Sequence, residues 1–337
     1  MDNKGSGKYI LKSQLLKQLE NGYFGLGRYI SLNGEQQEDL LRIIDLLKNY
    51  ITRKNPKRPF NIFIQAPSGI GKSFLVKEIS KTLSETLKQN VRYYNFNLSF
   101  MESPNELLKA FRKVQSANIN RETPVVFFDE IDGRLKDFEN PYRLFLTPMF
   151  DGVIYDSGEE YLIGKAIFIF AASKPIDKLI GNYNDKDKFL DDETSDPEPY
   201  NRWMISRKEI VHKIIMNQER VKTEKLVDFL TRIDSFIFLP SLKILFYNDR
   251  KGAKSQALLI VMSMLHDHFP EIEEIDNETL ILLSNALLEM DNFRRMDSYI
   301  FKSTNPIDGK FRSENLPMSF REKYQEEIKK IEASKSK

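Results

Sequence analysis

The residues best suited to chemistry lie in a glycine-containing loop between an apolar run and an amphipathic run. Residues 61–75 read NIFIQAPSGIGKSFL, so Lys72 and Ser73 open a predicted helix directly after the loop. Gly69 and Gly71 let the backbone turn so that consecutive N–H groups point inward, and the helix N-terminus adds the positive end of its dipole. This arrangement predicts a site for a chain of phosphates, in which Lys72 reaches the β and γ phosphates and the Ser73 hydroxyl ligates Mg²⁺.

The loop departs from the strict pattern GxxxxGK[ST] at one position, because Ala66 stands where the first Gly is expected. Ala66 is the outermost position of the loop, and both a strand before it and a helix after it are predicted. A chance GKS sequence at a helix start is the alternative, and it does not account for that context. The predicted cofactor-binding residues are Pro67, Ser68, Gly69, Ile70, Gly71, Lys72, Ser73 and Phe74.

A second apolar run, later in the chain, ends in two carboxylates. Residues 123–132 read TPVVFFDEID, which places Asp129 and Glu130 at the end of a predicted strand. Asp129 is suited to hold Mg²⁺, and Glu130 is suited to polarise a water molecule for attack on the γ-phosphate. Such a pair also caps strands without any chemistry. The position of Asp129 and Glu130 after the phosphate-binding loop in the sequence favours the metal and water roles.

These residues need elements that position them, and the sequence predicts strands alternating with helices. The apolar runs are short, nearly continuous and rich in Val, Ile and Phe, which is typical of parallel strands covered on both faces. The fold class is therefore α/β, a parallel sheet flanked by helices, followed by a smaller helical region. The predicted strands cover residues 60–65, 91–98, 124–128, 166–171 and 235–240, and the predicted helices cover residues 35–52, 72–88, 104–115, 205–218, 255–268, 277–290 and 293–300.

The change from strands to helices predicts a domain boundary near Pro240. Residues 181–200 carry seven acidic residues and two prolines, and they predict an exposed acidic loop, either solvated or used to dock a partner. The predicted organisation is an N-terminal segment (1–34), a nucleotide-binding α/β domain (35–240), a helical lid domain (241–302) and a C-terminal tail (303–337).

Composition excludes several classes of function. The chain has no Cys and three His, which excludes a disulfide framework, thiolate zinc sites and a His cage. No apolar run approaches the roughly 18 residues of a membrane span, and the start lacks the apolar segment of a secretion signal. We expect a cytoplasmic protein without a membrane partner. A net charge of +2 provides no global field for nucleic acid.

With both motifs placed, the chain resembles an AAA+ ATPase of the P-loop NTPase class over residues 25–300. Residues 166–175, AIFIFAASKP, are similar to the family's fourth strand and imply that Ser173 is sensor 1, where many members carry Asn. Residues 228–240, DFLTRIDSFIFLP, are similar to the segment with the arginine finger. They imply that Arg232 acts in trans on the neighbouring subunit's nucleotide; a solvated Arg at a helix end is the alternative.

Two further stretches extend the resemblance. Residues 291–299, DNFRRMDSY, are similar to the sensor 2 segment, which implies that Arg294 reaches the phosphates, with Arg295 as the alternative. Residues 23–30, YFGLGRYI, lie where the family contacts adenine, although an ordinary apolar lead-in explains them equally well. Gly25, Gly27 and Tyr29 would form the adenine wall.

Residues 140–164 predict a helix followed by a hairpin with strands at 153–155 and 161–163. This stretch resembles the hairpin before sensor 1 in the AAA+ branch that contains Clp- and Lon-type machines. It also resembles a group of poorly characterised bacterial AAA proteins that occur near stress and antiviral systems.

The resemblance implies that the chain binds and hydrolyses ATP with Mg²⁺ in a hexamer-like ring of identical subunits. Two roles fit: a nucleotide-gated module that assembles with a protein effector, and a motor that remodels protein or nucleic acid. The loop at 98–103, LSFMES, offers Phe100 as a pore residue but lacks the usual Gly, which favours the first role. The candidate nucleic-acid contacts lie on faces interleaved with acids, which favours ordinary solvated faces; they are Lys54, Lys57, Arg58, Lys109, Arg112, Lys113 and the tail 321–337.

Overall fold

A computed structural model describes residues 9–11, 26–31, 34–133, 141–174, 176, 200–216, 224–242, 250–290 and 292–335. The chain forms two compact units. We call residues 38–68 and 72–240 the sheet unit, and residues 1–37, 69–71 and 241–337 the C-terminal unit. Most of the predicted acidic loop at 181–200 lies outside the described residues.

The sheet unit contains a five-stranded parallel sheet in the order β3-β4-β7-β2-β8. The three central strands are almost fully buried, because helices cover both faces. The predicted α/β fold class is confirmed. The strands are β2 (Phe60–Gln65), β3 (Val91–Asn97), β4 (Thr123–Asp129), β7 (Ile167–Ala172) and β8 (Ser235–Phe238).

The helices of the sheet unit lie close to the predicted positions, except the helix at Glu224–Leu230, which was not predicted. They are α1 (Gly34–Ile51, in this unit from Glu38), α2 (Lys72–Leu87), α3 (Pro104–Ile119), α4 (Arg143–Phe150), α5 (Tyr200–Met216) and α6 (Glu224–Leu230). The sequence predicted a shorter α3, ending at Gln115. The helix runs four residues further, and Ala117 within this extension is buried in the core.

A cluster of phenylalanines forms the centre of this unit. The Phe170 ring lies 4.9 Å from Phe229 and 5.0 Å from Phe145, measured between ring centroids. Phe128 completes the contact at 5.0 Å from Phe145. Each ring buries a large apolar surface, so the cluster ties α4 and α6 to the middle of the sheet. It holds the ends of β4 and β7 in fixed register.

A hairpin of β5 (Val153–Asp156) and β6 (Glu159–Leu162) follows α4. The second strand was predicted to begin at residue 161, and it begins two residues earlier, at Glu159. The turn is tighter than expected because Ser157 and Gly158 both adopt positive φ angles, 54° and 87°, which suit a two-residue turn. The hairpin packs on α3, where Arg112 pairs with Asp156 at 2.7 Å.

The C-terminal unit combines helices with a small sheet. Strands β1 (Tyr9–Leu11), β9 (Glu274–Asp276) and β10 (Lys310–Phe311) form one sheet, and the helices are α7 (Arg250–His268), α8 (Asn277–Met290), α9 (Phe293–Phe301), α10 (Met318–Lys323) and α11 (Gln325–Lys335). The sequence predicted helices alone, because strands of two and three residues are too short to show alternation.

The residues after 302, predicted as a C-terminal tail, are folded where the structure describes them. Phe311, Phe320 and Tyr324 are buried there, and Phe320 packs on Tyr299 with ring centroids 5.2 Å apart. These residues complete the core of the C-terminal unit. No helix among the described residues has the length and apolar character to cross a membrane.

Candidate functional site

The loop between β2 and α2 depends on two glycines. Gly69 and Gly71 adopt φ angles of +83° and +85°, a region that residues with a Cβ atom rarely enter. Gly69, Ile70 and Gly71 group with the C-terminal unit, whereas Lys72 and Ser73 begin α2 in the sheet unit. The left-handed turns let successive backbone N–H groups converge, as a phosphate-binding loop requires.

Lys72 is the most buried charged group of the loop, with 8% of its surface exposed. Its ammonium group donates to the carbonyl oxygens of Ala66 at 2.9 Å and Pro67 at 3.4 Å. It also donates to the Ser173 hydroxyl at 2.9 Å. The structure therefore brings the predicted sensor 1 residue and the loop lysine into direct contact. These three acceptors are neutral, and an anionic phosphate oxygen is a stronger acceptor than any of them.

The two predicted carboxylates lie at the end of β4. Asp129 is its last residue, and Glu130 follows with a φ angle of 57°, unusual for a residue other than glycine. The Glu130 N–H donates to Asp129 Oδ1 at 3.0 Å. The left-handed turn sends the two consecutive side chains in different directions. Strained backbone of this kind is concentrated at functional sites.

Asp132 is a site residue that the sequence reasoning missed. Its Oδ2 accepts hydrogen bonds from the backbone N–H groups of Ser173 at 3.3 Å and Lys174 at 3.0 Å. This carboxylate ties the segment after β4 to the end of β7 and so fixes Ser173. Asp132 ends the sequence DEID, but its partners lie 41 and 42 residues further along the chain, so no local spacing reveals its role.

Tyr93 on β3 has a buried hydroxyl group. Burial and, secondarily, the charge of the Asp129 carboxylate raise the pKa of the Tyr93 hydroxyl. The buried oxygen has no hydrogen-bond partner among the described residues.

Residues 62–189 match the model of the ATPase family associated with various cellular activities (AAA). The structure is similar to the Saccharomyces cerevisiae Hsp104–ADP complex, with a TM-score of 0.51 and 14% identity over 86% of this chain. The fold is that of an AAA+ ATPase. The chain spans 47% of the Hsp104 chain, about half of its length. The comparison with curated protein sequences gives no match.

The matched AAA segment contains the loop, the carboxylate pair and Ser173, whereas Arg232 and Arg294 lie beyond it. Arg232 follows α6 and precedes β8. Its side chain donates to the Asp228 carbonyl oxygen and lies over the Phe150 ring, with Cζ 5.4 Å from the ring centroid. None of its contacts within the described chain involves the loop, Ser173 or the carboxylate pair.

The position of Arg232 along the AAA+ sheet is set by Asn61. The Asn61 side-chain amide donates to the Arg232 carbonyl oxygen at 3.0 Å. Asn61 lies near the start of β2, whereas the loop follows the end of that strand. At about 3.3 Å per residue, the path from Asn61 to Ala66 spans about 16 Å. Arg232 therefore lies toward the opposite edge of the sheet from the loop of its own chain.

Arg294 and Arg295 open helix α9 in the C-terminal unit. Asn292 caps the helix by accepting from the Arg295 N–H at 3.0 Å. The backbone N–H groups of Phe293 and Arg294 donate to the carbonyl oxygen of Gly69, in the same unit, at 3.0 and 3.3 Å. Both arginine side chains are exposed. The choice between them as sensor 2 stays a prediction.

The remaining sequence candidates divide into described and undescribed residues. Gly25 lies outside the described residues, and Tyr29 is buried, which raises the pKa of its hydroxyl. Phe100 is 80% exposed after β3. Among the proposed nucleic-acid contacts, Arg58 pairs with Asp234 at 2.6 Å, and Arg112 pairs with Asp156. These two arginines therefore have structural ion pairs.

Proposed function

We propose that this chain binds ATP with Mg²⁺ and hydrolyses it between subunits of a ring-like homo-oligomer. The observation that carries the proposal is the Lys72 ammonium group, held by the loop carbonyls and by the Ser173 hydroxyl. Both groups lie at the carboxyl edge of a parallel sheet, where open α/β folds bind their ligands. Asp129 ends the neighbouring strand at the same edge.

The residues present fit a nucleotide and a divalent cation. The left-handed glycines supply inward N–H groups for phosphate oxygens, and Lys72 supplies a positive charge. Asp129 and the Ser73 hydroxyl would hold Mg²⁺, because this hard cation prefers oxygen ligands. When bound, Mg²⁺ stabilises the negative charge on the transferred phosphoryl group.

The protein's own groups would then position the reactants. Glu130 would accept a hydrogen bond from the attacking water and take up its proton. The Ser173 hydroxyl accepts from Lys72, so its own proton is free to point to a phosphate oxygen. Asp132 would keep that hydroxyl in place through the backbone of Ser173.

Arg232 supports a site shared between subunits. Its backbone carbonyl is hydrogen-bonded to Asn61, about 16 Å from the loop along β2, and on this ground we propose that it serves the nucleotide of a neighbour. An arginine that enters such a site stabilises charge in the transition state by roughly 10³–10⁵ in rate. This requirement for a second copy is the reason to propose a closed homo-oligomer, with a hexamer-like ring as its form.

We propose that ATP state controls assembly with a protein effector. Support comes from Ser173, where many family members carry Asn, and from the loop at 98–103, which lacks Gly. The association with antiviral defence rests on the sequence resemblance alone. The cytoplasmic location stays a prediction from sequence.

A remodelling motor is the alternative, and the exposed Phe100 favours it. Steady-state ATPase assays with and without an unfolded polypeptide or single-stranded DNA separate the two roles. The effector module predicts that neither polymer changes kcat. Stimulation that disappears in Phe100→Ala, with Ile119→Ala as the exposed apolar control, would establish the motor instead.

A further inference from the structure

The backbone of Arg232 is fixed by a fully buried amide. Asn61 is 0% exposed, and its Nδ2 donates to the carbonyl oxygens of Arg232 at 3.0 Å and Met149 at 3.1 Å. Both amide protons are therefore used. They join the turn after α6 to the last turn of α4, where Phe150 is the next residue.

A second contact fixes the chain just after Arg232. The Asp234 carboxylate accepts from the Asn61 N–H at 2.8 Å and from both terminal nitrogens of Arg58 at 2.8 and 2.6 Å. Bidentate pairs of this kind have a defined orientation. These contacts fix the backbone at and after Arg232. Only the orientation of the Arg232 side chain depends on other contacts.

The guanidinium group of Arg232 rests on neutral partners. Its Nη1 donates to the Asp228 carbonyl oxygen, and its Cζ lies 5.4 Å from the centroid of the Phe150 ring. Nε is buried and has no hydrogen-bond partner within the described chain, and no carboxylate there pairs with the group. A carbonyl and an aromatic face orient an arginine without cancelling its charge.

Phe150 does not belong to the buried phenylalanine cluster of the core. It is the last residue of α4, and 61% of its surface is exposed. Its backbone is anchored at both neighbouring residues, because the Met149 carbonyl oxygen accepts from Asn61 Nδ2 at 3.1 Å and the Asp151 N–H donates to the Thr147 carbonyl oxygen at 2.9 Å. An exposed ring on a fixed backbone is therefore available as a platform for a cation.

We propose that Phe150 is a positioning residue for Arg232, which it holds in the orientation needed at the neighbour's nucleotide. This inference rests on the proposed trans role of Arg232. The aromatic face orients the guanidinium plane. The hydrogen bonds of Asn61 and Asp234 fix the backbone from which the Arg232 side chain extends. The chemistry recognised is an anionic phosphoryl group presented by a second copy of the chain.

The test compares ATPase kinetics of Phe150 variants in the full chain. Phe150→Ala and Phe150→Leu should lower kcat about 2- to 5-fold with KM unchanged, as expected for a lost cation–π contact at an exposed site. Phe150→Tyr and Phe150→Trp should keep kcat close to that of the unaltered chain. Thermal unfolding midpoints should be equal throughout, and Phe301→Ala serves as the exposed phenylalanine control.

ATPase activity of mixed variants gives a measurement that a purely structural role of Phe150 would leave unchanged. Equal amounts of Phe150→Ala and Lys72→Ala subunits should show more activity than the mean of the two separate preparations, because each Lys72→Ala subunit still offers an intact Phe150–Arg232 pair. Activity equal to that mean, or an unchanged kcat in Phe150→Ala or Phe150→Leu, overturns the inference. If Arg232→Ala keeps full activity, the trans role fails as well; if only Arg232→Ala loses activity, the role of Phe150 alone fails.

Discussion

At the scale of single residues, the site depends on charges held in strained or buried positions. Glu130 adopts a left-handed backbone that costs roughly 1–3 kcal/mol for a residue with a side chain. Nothing in the strand itself requires a glutamate at this turn. The conformation is explained if the carboxylate must point away from Asp129 toward a water molecule.

Glu130→Gln should bind ATP with little change in Kd but lower kcat by about 10²–10⁴, because the amide cannot accept the proton of water. Glu130→Gly should be equally inactive and at least as stable, since glycine accepts the φ angle of 57° without strain. Steady-state ATPase assays and thermal unfolding measure both effects. Glu85→Gln, on the exposed side of α2, is the control, and a Glu130→Gln variant with unaltered kcat would contradict the assignment.

At the scale of elements, the strands and helices that carry much of the candidate site could be predicted, because their signals lie in contiguous sequence. The strand–loop–helix around Lys72 and the strand ending in Asp129 each carry their signal within about a dozen residues, since apolar runs and turn residues act locally. The parallel sheet followed from those runs. The bounds of β2 and α8 agree with prediction to the residue.

The features that the sequence did not predict depend on contacts between segments far apart in the chain. Asn61 and Asp132 act through hydrogen bonds to residues far along the chain, at Arg232 and Ser173, and no local spacing reveals them. The platform at Phe150 likewise depends on the packing of α4 against the turn after α6. The small sheet of the C-terminal unit was missed because its strands have too few residues to show a period.

The loop geometry gives a second prediction, at Gly69. Gly69→Ala should weaken nucleotide binding and lower the free energy of unfolding, because the φ angle is +83° and the new Cβ would lie 2.4–2.6 Å from Asn292 side-chain atoms in the same unit. Gly158→Ala is the matched control, since φ is +87° there but no atom lies within 4 Å. It isolates the backbone strain, about 1 kcal/mol.

Thermal or denaturant unfolding of the two variants, with Kd measured for a fluorescent ATP analogue, separates strain from collision. Adding Asn292→Ala to Gly69→Ala should recover part of the lost stability, although removal of the helix cap costs about 1 kcal/mol on its own. If both glycine variants lose equal stability, the contact with Asn292 does not constrain the loop.

At the scale of the whole molecule, the proposed sharing of a site between subunits rests on the positions of Lys72 and Arg232. The lysine lies with the loop at the carboxyl edge of the sheet, and Arg232 is bonded to the start of β2, about 16 Å away along that strand. If Arg232 serves the nucleotide of a neighbour, as we propose, a subunit alone holds an incomplete site. ATP should therefore promote assembly, and light scattering of Glu130→Gln with ATP and Mg²⁺ should show an oligomer where the nucleotide-free protein is smaller.

The most direct test of hydrolysis between subunits mixes two inactive variants. Lys72→Ala should abolish nucleotide binding in its own site, and Arg232→Ala should disable the site of its neighbour; Lys81→Ala, exposed on the same helix, is the control for the lysine. When the two variants are combined in equal amounts, ATPase activity should return, because Lys72→Ala subunits supply Arg232 to intact loops. A mixture that remains as inactive as its components, or an Arg232→Ala variant that hydrolyses ATP at the unaltered rate, would contradict the account.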